Sequence, residues 1–214
     1  WTSIGTGVST TAGVYLPASY SLRFNPSANW NGTPGQLTVR LVDSSSAAPS
    51  AGSTTVNMTT SGGTTIYSDS SNAVTLVTTI VAENDAPVAS GSSTLTAVNE
   101  DTASPAGSTV TTLFTGNFSD VTDTVTSGST ANTLAGVAIV ANLSTSSQGA
   151  WQYYTGSTWT DISTSLTAST SLTVAAADKL RFVPALDFNG TPGKLTVSLI
   201  DSSTSVASGS TVDV

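Results

Sequence analysis

The sequence contains no cysteine and no histidine among its 214 residues. No disulfide therefore contributes to stability, and zinc or copper would lack its usual ligands. A Ser-His-Asp or Cys-His catalytic arrangement cannot be built within this chain. No matched acid and base stand out as candidates for proton transfer. The sequence predicts a protein that is not an enzyme.

Basic residues are scarce, with five Lys and Arg against 13 Asp and Glu and a net charge of −8. Nucleic-acid binding needs a basic patch, so no nucleic-acid partner is predicted. No apolar run reaches the roughly 18 residues of a membrane span, so this segment is not predicted to insert into a membrane. Between Arg40 and Lys179 the chain has no basic residue but ten carboxylates. Isolated acids there are expected to be solvated, whereas the grouped ones predict a hard-cation partner.

One passage occurs twice, at residues 22–45 and again at 180–203, an offset of 158 residues. The offset extends without a gap to Trp1, and 21 of the 45 positions of Trp1–Ser45 are identical to their counterparts. Internal repetition of this kind indicates tandem units. We predict that residues 1–83 are the C-terminal portion of one repeat, 84–88 a Pro-containing linker, and 89–214 a second repeat that lacks its final strand or strands.

Alternation of apolar and polar residues with a period of two is the main local signal. It predicts strands at residues 20–24, 37–41, 74–80, 110–114, 180–182 and 195–199, and one around Leu95 and Val98. Val137–Val140 is predicted as a strand buried on both faces. The recurring Asn-Gly-Thr-Pro-Gly sequence predicts positive φ at Asn-Gly, a type II turn at Pro-Gly, and a hairpin-like loop between its flanking strands. These features predict an all-β fold of tandem Ig- or cadherin-like β-sandwiches.

The run Asn84-Asp85-Ala86-Pro87-Val88, followed by Asn99-Glu100-Asp101-Thr102, resembles the start of cadherin-like and VCBS-type repeats. Residues 151–154, 159–162, 180–184 and 187–191 are similar to the second half of such units. The resemblance implies an extracellular array of β-sandwiches in a bacterial RTX-type adhesin or biofilm matrix protein, commonly rigidified by calcium. Cadherin linkers carry a further Asn where Ala86 stands, so one carbonyl ligand would be missing.

Calcium takes six to eight oxygen ligands, and the grouped acids and amides can supply them. The predicted ligands lie in the linker, at the start of the second repeat and in a later loop: Glu83, Asn84, Asp85, Glu100, Asp101, Asp120 and Asp123. In the alternative interpretation Asn84 and Asp85 cap a turn, and Glu100 and Asp101 end a strand.

Four residues at matched repeat positions leave two interpretations open. Asp43 and Asp201 are either ligands or Asx-turn residues. Arg23 and Arg181 bind a ligand carboxylate or, as we expect, a structural ion pair with Asp43 or Asp201. For the matched pair Asn29 and Asp187 we predict turns.

The leading functional hypothesis is a non-catalytic spacer of a bacterial surface adhesin, located outside the cell and stiffened by calcium. Its partners would be neighbouring repeats of the same protein. The alternative is a self-assembling subunit of an extracellular filament or sheath, in which strands of other copies complete open sheet edges. A third hypothesis is a carbohydrate-binding module that presents Trp151-Gln152-Tyr153-Tyr154 to surface glycans.

Overall fold

The computed structural model describes all 214 residues and divides into two compact units, Trp1–Val81 and Ala82–Val214. Strands are the main regular structure and helices are few, and every strand pairing is antiparallel, so the protein is all-β. The helices are too short to cross a membrane.

The first unit has two short strands, β1 (Leu37–Val39) and β2 (Val74–Leu76), which pair with each other. A single turn of 3-10 helix at Ser70–Asn72 precedes β2. Isolated bridges join Gly13 to Val56 and Gly32 to Ile80. Residues 20–24, predicted as a strand, are not in a strand. Val56 is the one buried hydrophobic residue of this unit, and most of the other apolar side chains are partly or largely exposed.

The second unit contains ten strands. They are β3 (Val88–Ala89), β4 (Ser108–Thr109), β5 (Phe118–Ser119), β6 (Leu134–Asn142), β7 (Gly149–Tyr154), β8 (Trp159–Asp161), β9 (Ser171–Ala175), β10 (Lys179–Pro184), β11 (Leu195–Asp201) and β12 (Thr211–Val212). Two four-stranded sheets run in the orders β4-β10-β7-β8 and β11-β6-β9-β12, and β3 pairs with β5. Short helices lie at Val110–Phe114 (α1), Thr115–Asn117, Val121–Asp123 and Ala168–Thr170.

The core of the second unit draws on both four-stranded sheets. Val137, Ile139 and Val174 come from β6 and β9, and Leu180 comes from β10 in the other sheet. The predicted burial of β6 on both faces is confirmed, because the consecutive residues Val137, Ala138 and Ile139 are all fully buried. Leu180 is only 1% exposed, whereas its counterpart Leu22 in the first unit is 45% exposed.

Several local predictions were wrong. Residues 110–114 form helix α1 instead of a strand, because the Thr109 hydroxyl accepts a hydrogen bond from the Thr112 amide and caps a helical turn. Leu95 and Val98 lie in irregular structure, and β2 ends at Leu76 although a strand was predicted to residue 80.

The Asn-Gly-Thr-Pro-Gly loop is not a hairpin in the second unit. It leads from β10 to β11, and these strands belong to different sheets. The predicted positive φ is present at Gly32 and Gly190, with values of 115° and 127°. Gly35 and Gly193 do not have positive φ, so the predicted type II turn at Pro-Gly is wrong. The chain thus uses this loop to cross from one sheet to the other.

Candidate metal centre

Three buried aspartates of the second unit lie close in space to the residues with which that unit begins. Asp120 is 4% exposed, and Asp123 and Asp201 are similarly buried. Asp120 precedes the short helix Val121–Asp123, Asp123 is its last residue, and Asp201 ends β11. Burial of an ionised carboxylate is costly unless hydrogen bonds or a cation compensate for the lost water. The partners of these three groups therefore decide what the site can do.

Two linker residues are bound to this group. The Asn84 side-chain amide donates to Asp201 Oδ2 at 3.2 Å, and the Asp85 backbone N–H donates to Asp123 Oδ1 at 3.0 Å. These bonds hold the first residues of the second unit against residues 38 and 117 positions later in the chain. Glu83, which precedes them, is exposed.

Asn132 connects the remaining groups. Its backbone N–H donates to Asp120 Oδ2 at 2.5 Å, and its side-chain amide donates to Asn84 Oδ1 at 2.7 Å and to Asp123 Oδ2 at 3.4 Å. Its own side-chain oxygen accepts from the Ser202 hydroxyl at 3.2 Å. We call the six residues Asn84, Asp85, Asp120, Asp123, Asn132 and Asp201 the junction cluster.

One oxygen of the junction cluster has no hydrogen bond. Asp120 Oδ1 is fully buried and accepts nothing, although Oδ2 of the same carboxylate is bonded. A buried charged oxygen without a partner costs free energy of about 1–3 kcal/mol or more. The cluster in this arrangement does not close around one point, since no three acidic side chains stand at metal-binding geometry. The side-chain oxygens of the cluster are all carboxylate and amide oxygens, which are the ligand types that calcium takes.

The electrostatics of Asp201 favour its ionised form. Burial alone would raise its pKa, but hydrogen bonds from the Ser203 hydroxyl, the Ser203 backbone N–H and the Asn84 amide together lower the pKa below the ordinary aspartate value. The Asx-turn interpretation of Asp201 is confirmed, because Oδ1 accepts from Ser203. Oδ2 accepts from the Asn84 amide, and the interpretation of Asp201 as a metal ligand stays a prediction. Its repeat counterpart Asp43 closes the same turn with Ser45 and is exposed.

The structure brings only some of the seven predicted ligands together. Asn84, Asp85, Asp120 and Asp123 come together, whereas Glu100 and Asp101 have other partners. Asp101 Oδ1 accepts from the Asp187 N–H at 2.9 Å, and Glu100 Oε2 accepts from the Asn189 amide at 3.2 Å. These two acids fix the loop that begins at Asp187.

Asn132 was missed by sequence reasoning. It is not acidic and lies outside the three predicted groups. The one sequence feature that marks Asn132 is its position just before the long apolar strand β6. The predicted turns at Asn29 and Asp187 are consistent with their positive φ of 58° and 57°.

Arg181 does not form the predicted ion pair with Asp201. Its Nε donates to Gln152 Oε1 at 2.7 Å, and its Nη1 donates to the Ser104 hydroxyl and the Pro105 carbonyl, both at 3.2 Å. The Arg181 guanidinium also lies over the Trp159 ring. Burial lowers its pKa, while the nearby Asp161 carboxylate raises it. All of these partners are structural, so Arg181 is part of the scaffold.

The aromatic run considered for glycan binding is packed into the second unit. The Trp151 ring meets the Phe182 ring edge-on with centroids 5.3 Å apart, and its indole N–H donates to the Gly193 carbonyl at 2.7 Å. Tyr153 packs against the core, and Tyr154 lies against Trp159 with ring centroids 5.0 Å apart.

No family model matches the chain, and neither does any curated protein or solved structure.

Proposed function

We propose that the protein is a non-catalytic structural module that binds calcium at the junction cluster. The observation that carries this proposal is the buried Asp120 Oδ1, which has no hydrogen bond in a cluster of three buried carboxylates. Calcium would neutralise the carboxylates and supply the partner that Asp120 Oδ1 lacks. Asp120, Asp123 and Asp201 would hold the ion, and the amide oxygens of Asn84 and Asn132 would complete the protein ligands.

We also infer that the two units are parts of tandem β-sandwich repeats. The two four-stranded sheets of the second unit share one core, which supports a sandwich there. The same Arg-over-Trp contact recurs in both units at the offset of 158 residues, which supports a structural repeat. A spacer of a bacterial surface adhesin or biofilm protein is the role that best unites these features. The extracellular location comes from the sequence resemblance.

The spacer role depends on how the segment at Asn84 and Asp85 is held. Their hydrogen bonds to Asp201 and Asp123 already bind this segment to the rest of the second unit. A calcium ion shared by Asn84 and the buried aspartates would make the segment harder to detach. Such a device restricts bending at the start of a unit and so stiffens an array.

Thermal unfolding of the chain tests the calcium proposal directly. We expect calcium at millimolar concentration to raise the melting temperature of the second unit relative to chelator, with magnesium having little effect. The expected dissociation constant is about 10⁻⁴–10⁻³ M, as for other extracellular modules. Identical melting curves in calcium and in chelator would exclude the site.

Small-angle scattering tests the spacer role separately. We expect the maximum dimension of the particle to become shorter, or its distribution to become broader, when calcium is removed. A particle whose scattering does not change with calcium, although calcium binds, would leave the metal site intact and contradict the stiffening role.

A further inference from the structure

The Asn132 side chain is a hydrogen-bond donor within the junction cluster. Its Nδ2 lies 2.7 Å from Asn84 Oδ1 and 3.4 Å from Asp123 Oδ2. Both oxygens belong to residues that the proposed calcium site would use as ligands. The positive end of the Asn132 amide therefore binds the oxygens that an ion at this site would also need.

The neighbours of Asn132 determine which way its amide points. Asn84 Nδ2 donates to the Asp201 carboxylate, so the other end of this amide, Asn84 Oδ1, faces Asn132 as an acceptor. The ionised Asp123 carboxylate can only accept as well. Because two acceptors face Asn132, it presents its NH₂ group to them, and its own Oδ1 accepts from the Ser202 hydroxyl at 3.2 Å.

This orientation does not suit a calcium ligand. Calcium takes oxygen ligands at about 2.3–2.6 Å, and the one side-chain oxygen of Asn132 is bonded to Ser202 instead. An ion bound to Asn84 Oδ1 and Asp123 Oδ2 would also meet the positive end of the Asn132 amide. Asn132 can therefore serve as a ligand only after its amide has turned.

Ser202 provides bonds for a second position of the amide. The oxygen and the NH₂ group of an amide are similar in size, so half a turn about the Cβ–Cγ bond exchanges them within almost the same volume. At present Ser202 Oγ donates to Asn132 Oδ1 and accepts from the Thr133 N–H at 3.0 Å. A hydroxyl has two lone pairs, so Ser202 Oγ can accept from the turned NH₂ group and keep its bond with Thr133. Ser202 is exposed, so its hydroxyl hydrogen can then turn to water.

The backbone at Asn132 is held independently of this side chain. The Asn132 N–H donates to Asp120 Oδ2 at 2.5 Å, and the next N–H, that of Thr133, donates to Ser202 Oγ. Strand β6 begins directly afterwards, at Leu134. A turn of the amide therefore needs no movement of the main chain.

We propose that the Asn132 carboxamide is a two-position switch that regulates calcium binding at the junction cluster. Without calcium its NH₂ group takes the place of the cation and binds Asn84 and Asp123. When calcium binds, the amide turns, its oxygen becomes a ligand and its NH₂ group binds Ser202. The binding-competent position is the less populated one, which lowers the apparent affinity for calcium. This inference rests on the proposed calcium site.

NMR spectroscopy of the wild-type chain during a calcium titration tests the turn without any substitution. We expect the nuclear Overhauser effect between the Asn132 side-chain NH₂ protons and the Ser202 β protons to strengthen several-fold in calcium and to return to its first value in chelator. If calcium shifts the resonances of Asp120 and Asp123 and leaves this effect unchanged, the calcium site stands and the switch is overturned. A spectrum that does not respond to calcium would overturn both.

Asn132→Asp tests the competition between the amide and the ion. A carboxylate offers an oxygen in either position and cannot donate to Asn84 or Asp123. We expect the calcium dissociation constant, measured by calorimetry, to fall about tenfold, because a charged ligand replaces a competing donor. The melting temperature in chelator should also fall, because two hydrogen bonds are lost and a fourth carboxylate joins the cluster.

Thr133→Asp is the matched control for the added charge, because Thr133 is the next residue and is exposed. We expect a much smaller gain in calcium affinity from this variant. An equal gain in both variants would mean that charge alone is responsible, and no gain in Asn132→Asp would mean that the amide does not compete. Either result would overturn the switch. If Asn132→Asp fails to fold, the titration of the wild-type chain still decides.

Discussion

The Arg181 guanidinium lies over the Trp159 ring, with its Cζ 4.0 Å from the ring centroid. Arg23 lies over Trp1 in the first unit in the same way, at 4.2 Å. The two contacts differ in their surroundings, since Arg181 is buried and hydrogen-bonded whereas Arg23 is exposed. The exposed contact of Arg23 with Trp1 is thus the matched control for the buried contact of Arg181 with Trp159.

Arg181→Lys should destabilise the second unit by about 2–4 kcal/mol. The planar guanidinium makes three hydrogen bonds and a desolvated cation–π contact, and an ammonium group cannot replace this geometry. Arg23→Lys should change stability by less than about 1 kcal/mol, because an exposed cation–π contact is weak. Chemical denaturation of the two variants measures both effects. Equal losses would mean that the environment of Arg181 adds nothing to the contact.

Gly193→Ala should destabilise the second unit by about 2 kcal/mol or more, because a Cβ at this position would lie 1.9 Å from the Leu143 carbonyl oxygen. The matched change Gly35→Ala should be almost neutral, since nothing lies within 4 Å of a Cβ there. Urea unfolding followed by tryptophan fluorescence distinguishes the two. If Gly193→Ala proved neutral, the close approach of these backbones would not occur in solution.

Asp201→Asn should cost the second unit about 1–3 kcal/mol, because its amide would present a donor to the Asn84 amide or lose the Ser203 bonds. The pKa of Asp201 is lowered in the folded protein, so its contribution is complete above the ordinary aspartate pKa of about 3.9 and is lost as the pH falls through the lower folded value. The variant should therefore flatten the acid limb of the stability curve. Asp43→Asn is the control. Hydrogen bonds from Ser45 lower the pKa of Asp43 as well, but this carboxylate is exposed, so its flattening should be much smaller. An identical flattening by both variants would contradict the role of burial at Asp201.

Asp120→Asn should remove most of the calcium-dependent stabilisation. At calcium ten to a hundred times the dissociation constant, binding to the folded state adds about 1.4–2.7 kcal/mol, and this gain should fall towards zero in the variant. Asp69→Asn is the control, because Asp69 is an exposed acid that closes a turn with Ser71 in the first unit. Calorimetric titration with calcium measures the difference. Full calcium binding by Asp120→Asn would remove Asp120 from the ligand set.

Sequence reasoning worked best where one local pattern determines the structure. The run around Val137–Val140 is apolar at consecutive positions, as expected for a strand covered on both faces, and Val137, Ala138 and Ile139 are fully buried. The predicted strand at residues 110–114 failed because its alternation is short, and the side chain of Thr109 settles the matter in favour of a helix. The turn sequence Asn-Gly-Thr-Pro-Gly identified a loop correctly but contains no information on which sheet receives the next strand.

The junction cluster was predictable where its residues stand out in the local sequence, and not where their contacts depend on the fold. Asn84, Asp85, Asp120 and Asp123 attract attention as acids and amides in a stretch without basic residues. Asp201 was ambiguous, because its turn with Ser203 is local and visible in the sequence, whereas its bond to Asn84 depends on the fold. The position of Asn132 before β6 was too weak a signal to identify it, since its role comes from four hydrogen bonds that exist only in the folded protein.

The bond between Asn84 and Asp201 has a consequence for the order of events during synthesis. Asp201 follows Asn84 by 117 residues, so the start of the second unit emerges from the ribosome long before its partner exists. At typical rates of about 5–20 residues per second, this delay lasts about 6 to 23 seconds. This bond is therefore one of the later contacts of the second unit to form, although Asn84 is among the first residues of that unit to be made.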